Sequence, residues 1–188
     1  MIYIQAQKDI MLNKALNSIK GKGFSLRKVF PLIIAFLLIL SLYFIPVYVV
    51  TARDFENNKM LKMWLPRDEY FEVFYTHSVE LSEVREIYQI DTKGENIILK
   101  ETLFSSYGAG LPATTKYDFE KTEDGFRIYN INEEFKEVVY RTGAVRANHK
   151  IFINNEEYEF LDFSKPMQAI KFSVEKISFI RYLTGRVG

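Results

Sequence analysis

Acid–base chemistry in this chain must run through few side chains. It has only two histidines, His77 and His149, and no cysteine. His77 sits in THSVE (76–80), with Ser78 and Glu80 beside it and Glu86 close behind in VREIY (84–88). An imidazole oriented by a carboxylate can act as a general base. The same pair can also be a satisfied polar spot in a β core, and both readings stand at this point. Strand alternation puts Phe71, Val73, Tyr75 and His77 on one face of the first strand, and Val84, Glu86, Tyr88 and Ile90 on one face of the next. A hairpin turning near 81–83 would set His77 opposite or diagonal to residues 86–88. A lone carboxylate is costly to bury, and a hydrogen-bonding imidazole offsets that cost. A His77–Glu86 contact is therefore expected, with Tyr88 as its neighbour. A bulge within THSVE would bring Glu80 to the same side.

Arg141 and His149 lie in YRTGAVRANHK, and neither has metal-ligand spacing to a nearby residue. A zinc site drawn from His77, Glu80, Glu86 and His149 would have to assemble in three dimensions without an HExxH-like pattern. No metal is assigned. The stretch YGAGLP (107–112) formally fits the start of a dinucleotide fingerprint, with Gly108, Gly110 and Ala113 at the required spacing. That fingerprint needs a following helix to hold pyrophosphate, whereas TTKYDFE alternates like a strand, so no cofactor is expected. The stretch reads instead as a shaped loop. Tyr107, Gly108 and Gly110 are candidate binding residues, acting through backbone N–H groups, and a tight structural crossover is the equal alternative.

Strands are expected near 70–80, 84–91, 96–104, 115–121, 125–131, 135–142, 146–153, 156–163 and 167–175. Turns are expected at Lys93-Gly94, Asp124-Gly125 and Asn154-Asn155, where glycine or asparagine tolerates positive φ. The tail, KISFIRYLTGRVG, reads as a last strand or a short helix. Aromatic residues make up 15% of the chain, chiefly Phe and Tyr, which favours strands. The expected fold is all-β, an antiparallel sandwich or partly closed barrel of about nine strands, preceded by one transmembrane helix. Trp64, the single tryptophan, is expected to cap the domain core.

That helix is read from residues 29–50, VFPLIIAFLLILSLYFIPVYVV, which carry no charge. As a helix they would reach about 33 Å, enough for a hydrocarbon core of about 30 Å. Pro31 falls in the expected first turn, and Pro46 near the far end. Basic residues crowd the first 28 positions, so the positive-inside rule places the N-terminus in the cytoplasm and the rest outside. The expected organisation is a basic cytoplasmic arm (1–28), a membrane span (29–50), a juxtamembrane connector (51–66) and an extracytoplasmic β domain (67–188). Cleavage as a signal peptide near Val50-Thr51-Ala52 is the rival. The lipid bilayer is the expected partner; a net charge of +1 gives no global field for nucleic acid.

In order, THSVE, VREIY with Glu86 and SYGAGLP (106–112) resemble the pattern of a prokaryotic family of unknown function. His149 before an alternating strand is a weaker echo, and the long basic arm is a departure. The resemblance implies a membrane-anchored protein often encoded beside TAXI-type TRAP transporters, so a TRAP-type transporter or its substrate becomes a candidate partner. It implies no activity. The leading reading is a single-pass binding or accessory module. The rival is an extracytoplasmic hydrolase using His77 with Glu86 or Glu80, with metal dependence left open.

Overall fold

The computed structural model describes residues 11, 26–77, 81–93, 95–106, 115–143 and 147–185. Helix α1 runs Leu26–Phe44. It stops two residues before Pro46, as the restriction on the residue preceding proline favours. Pro46 then opens a strand, a position where its missing N–H is cheap. Strand β1 spans Pro46–Asp54 and β2 spans Met60–Trp64. The last five residues of the expected membrane span and most of the expected connector therefore belong to a sheet. Because α1 begins at Leu26, Pro31 lies inside the helix and not in its first turn. Among the described residues, no helix is long and apolar enough to cross a membrane.

The strands that follow are β3 (Tyr70–Thr76), β4 (Glu83–Asp91), β5 (Asn96–Phe104), β6 (Asp118–Thr122), β7 (Gly125–Tyr129), β8 (Glu133–Phe135), β9 (Glu137–Arg141), β10 (Lys150–Ile153), β11 (Glu156–Glu159) and β12 (Ala169–Ser178). They form two antiparallel sheets. Sheet I has the order β2-β1-β12-β9; sheet II has β11-β10-β3-β4-β5-β7-β6, with β8 also on β5. Neither sheet closes on itself, so the fold is an open sandwich and not a barrel. The described residues hold twelve strands where about nine were expected, and β1, β2 and β8 are the additions. The tail resolves as both alternatives in series: β12 ends at Ser178, and a short helix α2, Phe179–Thr184, follows and stops at Gly185 in the left-handed region.

The turn chemistry is local and explicit. Asn154 and Asn155 have φ of 60° and 63°, a tight two-residue turn between β10 and β11. Gly125 joins β6 to β7 at φ 145°, and a Cβ there would lie 2.3 Å from the Phe104 carbonyl oxygen. One apolar cluster joins the sheets. Val50, Ala52, Trp64, Phe172 and Val174 face Phe71, Val73, Tyr88, Ile90 and Ile97, with Phe160 among them. Trp64 is 4% exposed and packs on Tyr158, Phe163 and Phe172.

Candidate functional site

The β3–β4 hairpin turns in a way that separates the two residues expected to meet. The His77 N–H donates to the Ser82 carbonyl at 2.8 Å, and Thr76 pairs with Glu83. In that register Glu86 lies opposite Val73, four residues back along β3 from His77. At about 3.3 Å per residue the two backbones stand roughly 13 Å apart along the strand. The expected His77–Glu86 pair is not the one that the hairpin builds. The face assignment does hold: Phe71 and Val73 are buried, as are Val84, Tyr88 and Ile90.

Glu86 instead meets tyrosines. It lies on β4 among inward-facing residues, itself only partly buried. The Tyr140 hydroxyl, on β9 of the opposite sheet, donates to Glu86 Oε2 in a short contact. The Tyr88 hydroxyl lies 3.1 Å from the same oxygen and 2.6 Å from the Tyr140 hydroxyl. Three oxygens thus form a triangle with only two protons to share. The arrangement that uses the two shorter edges has Tyr88 donating to Tyr140 and Tyr140 donating to Glu86, a polarised chain in which each bond strengthens the next. The Tyr75 hydroxyl also stands near the carboxylate. Burial, and then the Glu86 charge, push the Tyr75, Tyr88 and Tyr140 hydroxyls well above the usual phenol range. All three remain protonated donors at neutral pH, and none is a base.

His149 completes the cluster. Its ring stacks on Tyr75 at 5.3 Å and on Phe160 at 5.4 Å, and meets Tyr140 edge-on at 6.2 Å. The Gly143 N–H donates to Nδ1 at 3.2 Å, which selects the neutral tautomer with its proton on Nε2. Burial holds its pKa below the ordinary value of 6.5. The segment is tied to β3 by the Thr76 N–H donating to the Ala147 carbonyl. Tyr75, Glu86, Tyr140 and His149 are each only partly buried, so this polar seam between the sheets is not sealed.

Residues 71–160 match a family described as a domain of unknown function, DUF1850. The match takes in β3 through β11, and with them Glu86, the three tyrosines and both histidines. No curated protein and no solved structure matches the chain.

The other candidate residues divide plainly. Ser78, Glu80, Tyr107, Gly108 and Gly110 lie outside the described residues. Arg141 is exposed at the end of β9; strand alternation turns it away from the face on which Tyr140 meets Glu86. Among the described residues, no group of three or more His, Asp or Glu side chains is placed to hold a metal ion. Three prominent surface grooves, the largest about 660 Å³, are lined by neither histidine nor by Glu86. The structure brings Glu86, Tyr88 and His149, which sequence reasoning named, together with Tyr75 and Tyr140, which it did not name as their partners. Tyr75 carried a signal, since it shares the face of Phe71 and Val73. Tyr140 arrives from the other sheet, which no local pattern reports.

Proposed function

We propose that the chain is a membrane-tethered binding module, held by α1 with its N-terminus in the cytoplasm and its sandwich outside the cell membrane. One observation carries the tether. Eleven large apolar side chains between Phe30 and Phe44 on α1 or Ile45 just after it, such as Phe30, Leu32, Phe36, Leu38, Ile39 and Phe44, are 42–73% exposed. A helix apolar on every side is stable only where the surroundings are apolar too. Alone, the described helix is not long and apolar enough to cross a membrane; its 19 residues would reach about 28 Å, against a hydrocarbon core of about 30 Å. The burial of β1 favours a retained anchor over a cleaved signal. Val49, Val50, Thr51 and Ala52 are fully buried in a strand paired on both sides, by β2 and β12. Cutting there would halve a central strand.

The recognition feature in this reading is the seam of Glu86, Tyr75, Tyr88, Tyr140 and His149. A carboxylate offers about four acceptor positions; the hydroxyls around Glu86 leave some of them for a ligand that donates hydrogen bonds or carries positive charge. The motif resemblance adds a TRAP-type transporter as the candidate neighbour in the bilayer. The hydrolase alternative needs His77 beside Glu86 or Glu80; the hairpin register keeps it away from Glu86, and Glu80 lies outside the described residues. Membrane fractionation of the full chain with alkaline extraction tests the tether: retention in the pellet supports it, and release into the supernatant refutes it. Thermal-shift titration of the full chain with small amines and small carboxylates, repeated on Glu86→Gln, tests the seam. Stabilisation by an amine that is lost in the variant supports recognition there. Equal shifts in both proteins refute it.

A further inference from the structure

The sandwich has two ends. At one, Pro46 pairs with Ser178, and Tyr48, Leu65, Arg67 and Thr92 line a groove of about 330 Å³. At the other lie His77, Ser82 and His149. Strand β3 separates them by seven residues, roughly 23 Å. Exposed apolar groups occur at both ends, with Phe55, Leu81, Leu161 and Met167 40–67% exposed at the second; at the first they are contiguous with the chain's entry into β1. Tyr43, Phe44 and Ile45 are 52%, 73% and 46% exposed where the chain enters β1, and Leu183 on α2 is 57% exposed. The Phe179 N–H donates to the Ile45 carbonyl at 2.9 Å, which pins the start of α2 beside that entry. At about 100° per residue, Phe179, Tyr182 and Leu183 share one side of α2 while Arg181 points the other way. The Phe179 and Tyr182 rings stack at 6.4 Å. Lys176, one strand position away from Ile177, lays its ammonium over the Tyr48 ring.

Aromatic rings with a polar edge, one apolar side and basic residues nearby are the composition of a segment lying at the headgroup boundary of a bilayer. We propose that α2 is a second, interfacial membrane contact. Phe179, Tyr182 and Leu183 seat in the same phospholipid leaflet that α1 enters, and Lys176 and Arg181 face its phosphates. Continuity of the chain identifies the occupant: the hydrogen bond to Ile45 places α2 at the mouth of the apolar run, so a bilayer reached by Phe44 is within reach of Leu183. The sandwich would then stand with its Pro46 end on the membrane and its His149 end outward. This inference rests on the tether proposed above.

The absence of cysteine makes the test clean. Full-length single-cysteine variants Leu183→Cys, Phe36→Cys and Leu81→Cys are labelled with bimane and reconstituted in phosphatidylcholine–phosphatidylglycerol nanodiscs, with lipids brominated near the glycerol or near the chain ends. Leu81 is 67% exposed beside His77, at the far end of the sandwich. The expected pattern is loss of Phe36-label intensity with deep bromines, loss of Leu183-label intensity with shallow bromines, and no loss at Leu81. Quenching at Phe36 with none at Leu183 overturns the α2 contact and leaves the tether standing. No quenching at Phe36 overturns the tether and this inference with it. If α2 instead packs on a second copy of the chain, the Leu183 label is protected from both lipids, which also refutes it.

Discussion

Removing the Tyr88 and Tyr140 hydroxyls singly and together should give losses that do not add. In the native triangle, Tyr88 donates to Tyr140 and Tyr140 donates to Glu86, with Tyr88 also within 3.1 Å of the carboxylate. Tyr140→Phe loses the neutral bond, and the Tyr88 proton turns to Glu86. Tyr88→Phe loses the neutral bond and leaves Tyr140 on Glu86. Each single change should cost about 1 kcal/mol, the usual net value of a neutral hydrogen bond. The double change strips both donors from Glu86 and costs a further charged bond of about 2 kcal/mol, so the total is about 3 and the coupling about 1 kcal/mol. Tyr75 remains near the carboxylate and sets the lower end of that range. The assay is urea unfolding of the full chain in detergent micelles, followed by Trp64. This single tryptophan sits in the sandwich core, so its emission reports that unit alone. With a slope of about 2 kcal/mol per molar urea, each single change moves the midpoint by about 0.5 M and the double by about 1.5 M. Additivity within about 0.5 kcal/mol would refute the shared-proton account.

Three further outcomes follow from the geometry. His77→Ala and Glu86→Ala should be additive within about 0.5 kcal/mol, since the register holds them apart; a larger coupling in the same unfolding assay would restore the direct pair. His149 is held below its ordinary value of 6.5 by burial, so the folded form resists protonation more than the unfolded chain does. Its contribution is intact above pH 6.5 and is lost as pH falls from there through the depressed folded value. His149→Phe, which keeps the stack on Tyr75 and Phe160, should flatten that part of the stability–pH profile; an unchanged slope argues against a neutral buried imidazole. Gly125→Ala forces a side chain onto φ 145° and against the Phe104 carbonyl, and should cost at least about 2 kcal/mol in urea midpoint measurements; a loss under about 0.5 kcal/mol would mean that the β6–β7 turn adopts another form.

The parts of the fold legible in the sequence are those set by neighbours. Strand β5 occupies 96–104 as the alternation and its flanking turns require, and Asn154-Asn155 takes the positive φ that asparagine tolerates. Which residues of β3 and β4 face inward was equally plain, because alternation carries it. Which inward residues face each other was not. That depends on where the hairpin turns, and the Thr76–Glu83 pairing moved Glu86 from His77 to Val73. Strand β1 was hidden for another reason. PVYVV continues an apolar run, and hydropathy cannot separate the end of a membrane helix from a strand buried on both faces. Tyr140 reaches Glu86 across two sheets, so its role exists only after they pack.

The span of the family match carries its own physical lesson. Residues 71–160 hold every strand of sheet II but only β9 of sheet I. Without β1, β2 and β12, the cluster loses Val50, Ala52, Trp64, Phe172 and Val174, leaving Phe71, Val73 and Ile97 without the sheet that covers them. Four of those five are large side chains worth roughly 1.5–3 kcal/mol each in burial, so the loss is roughly 6–12 kcal/mol. That is comparable with the whole stability of a typical domain, about 5–15 kcal/mol. The Tyr140–Glu86 bond would suffer as well, because β9 is held in sheet I only through β12. The unit that folds, and that positions the tyrosines around Glu86, must therefore extend from β1 through β12.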